Sequence, residues 1–225
     1  MVKVKICGIT NWADARKSVE AGADFLGFNF YRKSPRYITP DAAGRIIKRL
    51  PQGIKTVGVF VNQTEESVLR TAQLAGFHQI QLHGDESPEM VARLRRSFPV
   101  IKALRVDGKI EESLSDFANA DALLLDAVNG NQFGGTGKTF DWNVVRGASA
   151  KKKLFLAGGL TPENAAEAIT IGKPYAVDVC SGVELRPGKK DFRRVTAFMR
   201  AVRATKSGGR TVVKRGGKAK ARKKS

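Results

Sequence analysis

The 225-residue sequence is poor in cysteine, in acidic charge and in long apolar runs. Its two cysteines, Cys7 and Cys180, allow one pair at most, which is no disulfide framework for a chain of this size. That usage points to a reducing, cytoplasmic setting. No stretch is long and apolar enough for a secretory leader or a membrane span, and the first residues already alternate as a strand does. Acidic residues are outnumbered, 21 Asp and Glu against 40 Lys and Arg, for a net charge of +19. Such an excess favours an anionic partner: nucleic acid, a membrane surface or a phosphorylated metabolite.

Where the charge lies decides among these. Residues 206–225, KSGGRTVVKRGGKAKARKKS, hold nine basic residues and no acidic one, so taking those nine from +19 leaves +10 on the rest. Apart from Val212, Val213 and alanine the segment lacks apolar side chains, so it buries too little surface to offset its ordering entropy and is expected to be disordered. It also lacks aromatics for stacking bases, which argues against sequence-specific recognition and leaves a solvated extension, or non-specific, salt-sensitive contact with RNA, DNA or acidic proteins. The expected organisation is one domain over 1–205 and a basic tail over 206–225.

What the sequence has in abundance is repetition of one pattern. The runs VKVKIC, FLGFNF, KTVGVFV, QIQLH, VIKALRV, ALLLDA, KLFLAGG and AVDVCSG are eight candidate strands. Helical stretches are expected after them at 11–21, 40–50, 64–75, 87–97, 110–118, 141–148, 162–171 and 189–204. Start signals support several of these: Thr39 before Pro40, Thr64 before Glu65 and Glu66, and Thr161 before Pro162 and Glu163. Eight βα units in about 200 residues predict a closed (β/α)8 TIM barrel rather than an open doubly wound sheet, which would announce a glycine-rich phosphate turn after its first strand.

A barrel puts its site at the carboxyl ends of its strands. Residues there are Cys7, Asn29, Phe60, His83, Arg105, Asp126, Gly158, Gly159, Asp178, Ser181 and Gly182. Cys7 and Asp126 are the two candidate proton-transfer groups. LAGGLTPEN and DVCSGVE follow the seventh and eighth strands, where barrels hold phosphate, and offer backbone N–H groups to an anion. A third glycine-rich loop, 134–138, follows the sixth strand and could close over a substrate. Its GGTGKT is not a P-loop: counting back from Gly137, Lys138 and Thr139, the first glycine position is held by Gln132.

From Lys3 to about Arg203 the chain resembles the phosphoribosylanthranilate isomerases of tryptophan biosynthesis. The motifs that carry the likeness are KICGIT, GADFLGFNFYRKSPRYI, VGVFVN, QLHGDES, DALLLDA, GGTGKTFDW, LAGGLTPEN and VDVCSGVE. The resemblance implies an Amadori rearrangement of a small phosphosugar substrate without metal or organic cofactor. It implies Cys7 as general base, Asp126 as general acid and Arg36 as the partner of the anthranilate carboxylate. Phosphate falls to Gly137, Gly158, Gly159, Ser181 and Gly182. A thiol serves as base only if its pKa drops from about 8.5 toward neutrality, and the acid has to keep its proton, which a neighbour such as Asp178 would favour. Monomer and homodimer both remain open.

Plainer readings stand beside these. Cys180 replaces the serine common in the family and is read as packing. His83 is either a hydrogen-bonded structural residue or a substrate contact, Asp178 a strand-end organiser or a substrate ligand, and Asp85 and Glu86 are assigned to a solvated loop or helix start. Two rivals remain: another phosphosugar isomerase on the same barrel, and a nucleic-acid-associated scaffold whose tail does the work.

Overall fold

In the segment KVKICGIT the side chains at 4 and 6 are apolar and the next one is Cys7, and this alternation folds as strand β1 (Lys3–Ile6) with Val4 and Ile6 buried. The computed structural model describes residues 1–106, 114–127, 145 and 152–205. Within them β1 is followed by α1 (Trp12–Ala21), β2 (Phe25–Asn29), α2 (Pro40–Ile47), β3 (Lys55–Phe60), α3 (Glu65–Ala75), β4 (Gln79–Leu82) and α4 (Pro88–Leu94). Then come β5 (Val100–Val106), β6 (Ala122–Ala127), β7 (Leu154–Leu156), α5 (Ala165–Gly172) and β8 (Ala176–Val179). A hairpin, β9 (Glu184–Arg186) and β10 (Lys189–Lys190), and the helix α6 (Phe192–Ala204) complete the described chain.

All eight expected strands are present, and each pairs in parallel with the next. β8 returns to β1 in the register Lys3↔Ala176 through Ile6↔Val179, so the barrel is closed. Alternate side chains divide the core. Phe25, Val57, Ile101, Leu124 and Phe155 fill the barrel. Leu26, Phe28, Ile80, Leu125 and Val177 face out under the helices, against residues such as Val68, Val91 and Phe198. Each such buried side chain stabilises the fold by about 2 kcal/mol relative to exposure.

The caps read from sequence form as expected at Thr39 and Thr64, whose side chains accept from Ala42 N and Ser67 N. The Thr161 signal works differently. Asn164 Oδ1 accepts from Thr161 N and Thr161 Oγ1 from Glu163 N, which closes a turn and delays α5 to Ala165. The stretch expected as one helix over 189–204 is also divided. Lys189 and Lys190 pair with β9 across Pro187 and Gly188, and Asp191 then caps α6 by accepting from Arg193 N. The 141–148 helix apart from Val145, part of 110–118, the 134–138 loop and the 206–225 tail lie outside the described residues.

Candidate active site

Seven of the eight strands, through their carboxyl ends or the residues just after them, line a cavity of about 620 Å³ that includes Cys7, Arg36, His83, Asp126, Gly158, Gly159, Asp178 and Ser181. Of the ten residues singled out as the site, these eight therefore converge. Gly182 stands just behind the wall: a Cβ built on it would fall 1.8 Å from Leu160 O, so the loops after β7 and β8 meet backbone to backbone there. Gly158 and Gly159 carry φ of 84° and 64°, a backbone that glycine adopts without strain. Gly137 lies outside the described residues.

Beneath the cavity floor the barrel turns polar. Lys5 points inward from β1, is fully buried, and pairs through Nζ with Asp178 Oδ2 at 2.8 Å. The other carboxylate oxygen, Asp178 Oδ1, is buried without a hydrogen-bond partner. Burial raises the Asp178 pKa to about 7: Lys5 opposes the rise, while Cys7 and Asp126 add to it. Burial also pulls the Lys5 ammonium down, but Asp178 and Cys7 more than offset it and Lys5 stays charged.

Cys7 and Cys180 are the next positions along a register that pairs Ile6 with Val179, and Cys7 N donates to Val179 O at 2.9 Å. Both thiols are free and both line the cavity. The Cys7 thiol is held well below the ordinary thiol range, first by a hydrogen bond from the Cys180 thiol; burial opposes this, and the Lys5 and Lys190 ammoniums reinforce it. Giving that hydrogen bond, together with burial, pushes Cys180 well up. The sequence reading of Cys180 as packing is thus incomplete: its Sγ also stands 3.9 Å from both Glu184 Oε1 and Lys190 Nζ.

His83 faces the cavity, and both ring nitrogens are engaged. The Gln81 amide stands 2.8 Å from Nδ1, and Nε2 stands 3.1 Å from Asp126 Oδ2. Gln81 is buried, with Oε1 unpartnered when its amide nitrogen faces the ring. Arg36, on the loop after β2, reaches the cavity with its Nε and Nη2 edge already on Glu184, at 3.0 Å to both carboxylate oxygens from Nε and 2.7 Å from Nη2.

Two sequence readings are corrected. Glu86 does not sit in solvent: it is buried, pairs with Lys102 at 2.9 Å and accepts from Asn62 N and Gly84 N, joining the loops after β3 and β4. Phe60 turns into the core and stacks on Phe30 with ring centroids 5.4 Å apart, away from the cavity. Sequence reading missed Lys5, Gln81, Glu184 and Lys190; the lysine in the alternation of β1 was the one available signal, since an inward lysine in a barrel demands a counter-charge. Among the described residues no three His, Cys, Asp or Glu side chains are grouped to hold a metal ion. Nor is any described helix long and apolar enough to cross a membrane.

The family model described as N-(5'-phosphoribosyl)anthranilate (PRA) isomerase matches residues 4–201. The chain belongs to this family. Among curated phosphoribosylanthranilate isomerases, that of Pelobacter propionicus is 49% identical over 209 residues, covering 92% of this chain and 98% of the relative. The solved phosphoribosylanthranilate isomerase of Thermotoga maritima superposes with a TM-score of 0.86 at 44% identity, over 91% of this chain and 100% of that one. Another solved isomerase, in complex with reduced 1-(o-carboxyphenylamino)-1-deoxyribulose 5-phosphate, gives a TM-score of 0.82 at 42% identity with the same coverage.

Proposed function

We propose that this chain catalyses the isomerisation for which its family is named, the Amadori rearrangement of N-(5-phosphoribosyl)anthranilate to 1-(2-carboxyphenylamino)-1-deoxyribulose 5-phosphate in tryptophan biosynthesis. One observation carries the assignment of roles: a thiol biased toward thiolate, just after β1, and the Asp126 carboxyl group, on β6, stand on one cavity together with the glycine loop after β7. In this reading Asp126 gives its proton to the furanose ring oxygen, and the C1′–O bond breaks to leave a Schiff base. The Cys7 thiolate then removes the C2′ proton, and the resulting enolamine tautomerises to the ketone.

The Gln81 amide allows the acid role. Turned so that Oε1 accepts from His83 Nδ1–H, it leaves His83 Nε2 as an acceptor facing the Asp126 carboxyl, and the unpartnered position passes from its oxygen to its nitrogen. Asp178 Oδ1, buried and unpartnered on the same cavity, is suited to a sugar hydroxyl. Phosphate is assigned to backbone groups of Gly158, Gly159, Ser181 and Gly182, and the anthranilate carboxylate to Arg36.

The test is turnover of freshly made phosphoribosylanthranilate, followed by loss of its fluorescence, by the parent, Cys7→Ala and Asp126→Asn. General acid and base groups each contribute about 10²–10⁴-fold, so both variants are expected to lose that much kcat. Full rates in Cys7→Ala would move the base elsewhere. No turnover by folded parent would point to another phosphosugar.

A further inference from the structure

A guanidinium offers a carboxylate two bidentate edges, one through Nε and Nη2 and one through Nη1 and Nη2. Glu184 occupies the first edge of Arg36 with both of its oxygens. No described residue takes the Nη1 edge, and the Arg36 side chain lines the cavity while remaining only 14% exposed. Glu184 is itself pinned. Its side chain is 4% exposed, and Oε1 also accepts from Lys190 Nζ at 3.0 Å and from Gly188 N at 3.3 Å, both within the β9–β10 hairpin. An arginine has several rotatable bonds, and here the one nearest its charged end is fixed from a hairpin 148 residues away in sequence.

We propose that Glu184 is the positioning residue for Arg36, fixing the guanidinium by its side edge so that its end edge is presented to the aryl carboxylate of the substrate, and thereby sets the enzyme's preference for a carboxylate-bearing ring. The proposal deepens the substrate reading given above and rests on it. The arrangement is consistent with it: Glu184 is shared between Arg36 and Lys190, so its carboxylate does not belong to Arg36 alone. Burial works to raise the Glu184 pKa, but Arg36 and Lys190 outweigh it and the carboxyl is held below its usual range, so the clamp stays charged.

The experiment is steady-state kinetics of the full-length parent, Glu184→Gln, Glu184→Asp and Arg36→Met on two substrates, phosphoribosylanthranilate and its phosphoribosylaniline counterpart, which lacks the carboxylate. Melting curves accompany each protein. The parent is expected to favour the carboxylate substrate. In Glu184→Gln, KM for that substrate is expected to rise about tenfold with kcat within about threefold, and the parent's preference to shrink by about tenfold, because a site loses most when a charged hydrogen-bond partner is misaligned. Glu184→Asp, which keeps the charge, should restore part of the preference, and adding Glu184→Gln to Arg36→Met should cost nothing further in KM. Equal losses on both substrates, or a fall in kcat at constant KM, would overturn the proposal and assign Glu184 to the fold or to the thiol. A parent active on both substrates without preference would overturn the Arg36 assignment and this inference with it, whereas a parent inactive on both would overturn the isomerase reading itself.

Discussion

A thiol is a poor base at neutral pH unless its surroundings favour the thiolate. Around Cys7 three groups do so, the Cys180 thiol and the Lys5 and Lys190 ammoniums, each from a different strand or hairpin. Cys180 acts by donating, so replacing it by alanine removes a donor and replacing it by serine keeps one. The acid limb of the kcat/KM profile is therefore expected to move to higher pH in Cys180→Ala and to stay near the parent's in Cys180→Ser, with alkylation of Cys7 by iodoacetamide moving in parallel. A Cys180→Ala profile that overlays the parent's would remove the thiol from the mechanism. Cys7 and Asp126 could be found in the sequence because each ends an apolar run. Glu184 and Lys190 could not: they lie in a polar stretch that reads equally well as helix start, and only folding shows that their side chains are buried.

Among the elements, strands were more legible than the connections between them. Each of the eight barrel strands carries a short β-branched or aliphatic run, and such runs are fixed by burial whatever lies between. The hairpin β9–β10 was missed because its strands are three and two residues long and its alternation is too brief to carry a period. Glu86 was misread for a related reason. A charged residue before Ser87 and Pro88 looks like the acidic first turn of a helix, and nothing in its neighbourhood announces Lys102, which comes from the next strand. The two loops assigned to phosphate depend on each other through the contact of Gly182 with Leu160 O, where no side chain fits. Gly182→Ala is expected to force them apart and, through about one lost backbone hydrogen bond to the phosphate, to raise KM and the Ki of inorganic phosphate by about tenfold with a smaller effect on kcat. Unchanged phosphate inhibition would place the anion elsewhere.

For the whole molecule the telling group is Asp178. Its folded pKa of about 7 stands above the ordinary 3.8, so between those values the folded state holds a proton that the unfolded chain releases. The stability this contributes is complete below about pH 3.8, declines as pH rises, and is gone above about pH 7. Urea unfolding of the parent and Asp178→Asn should therefore show the parent losing ground to the variant by a few kcal/mol between pH 4 and 7, at about 1.4 kcal/mol per pH unit, and no further change above. A constant difference across that range would mean that Asp178 is ionised throughout, paired with Lys5.

That pair lies on the seam where β8 closes onto β1, and the seam dictates when the enzyme comes alive. A ribosome delivers Lys5 and Cys7 almost at once, yet two of the groups that favour the Cys7 thiolate, Cys180 and Lys190, arrive only as the last described strands are made. Arg36 likewise waits for Glu184. Until then those two groups are missing from beside Cys7, so the full bias toward thiolate marks a barrel that has been finished and shut.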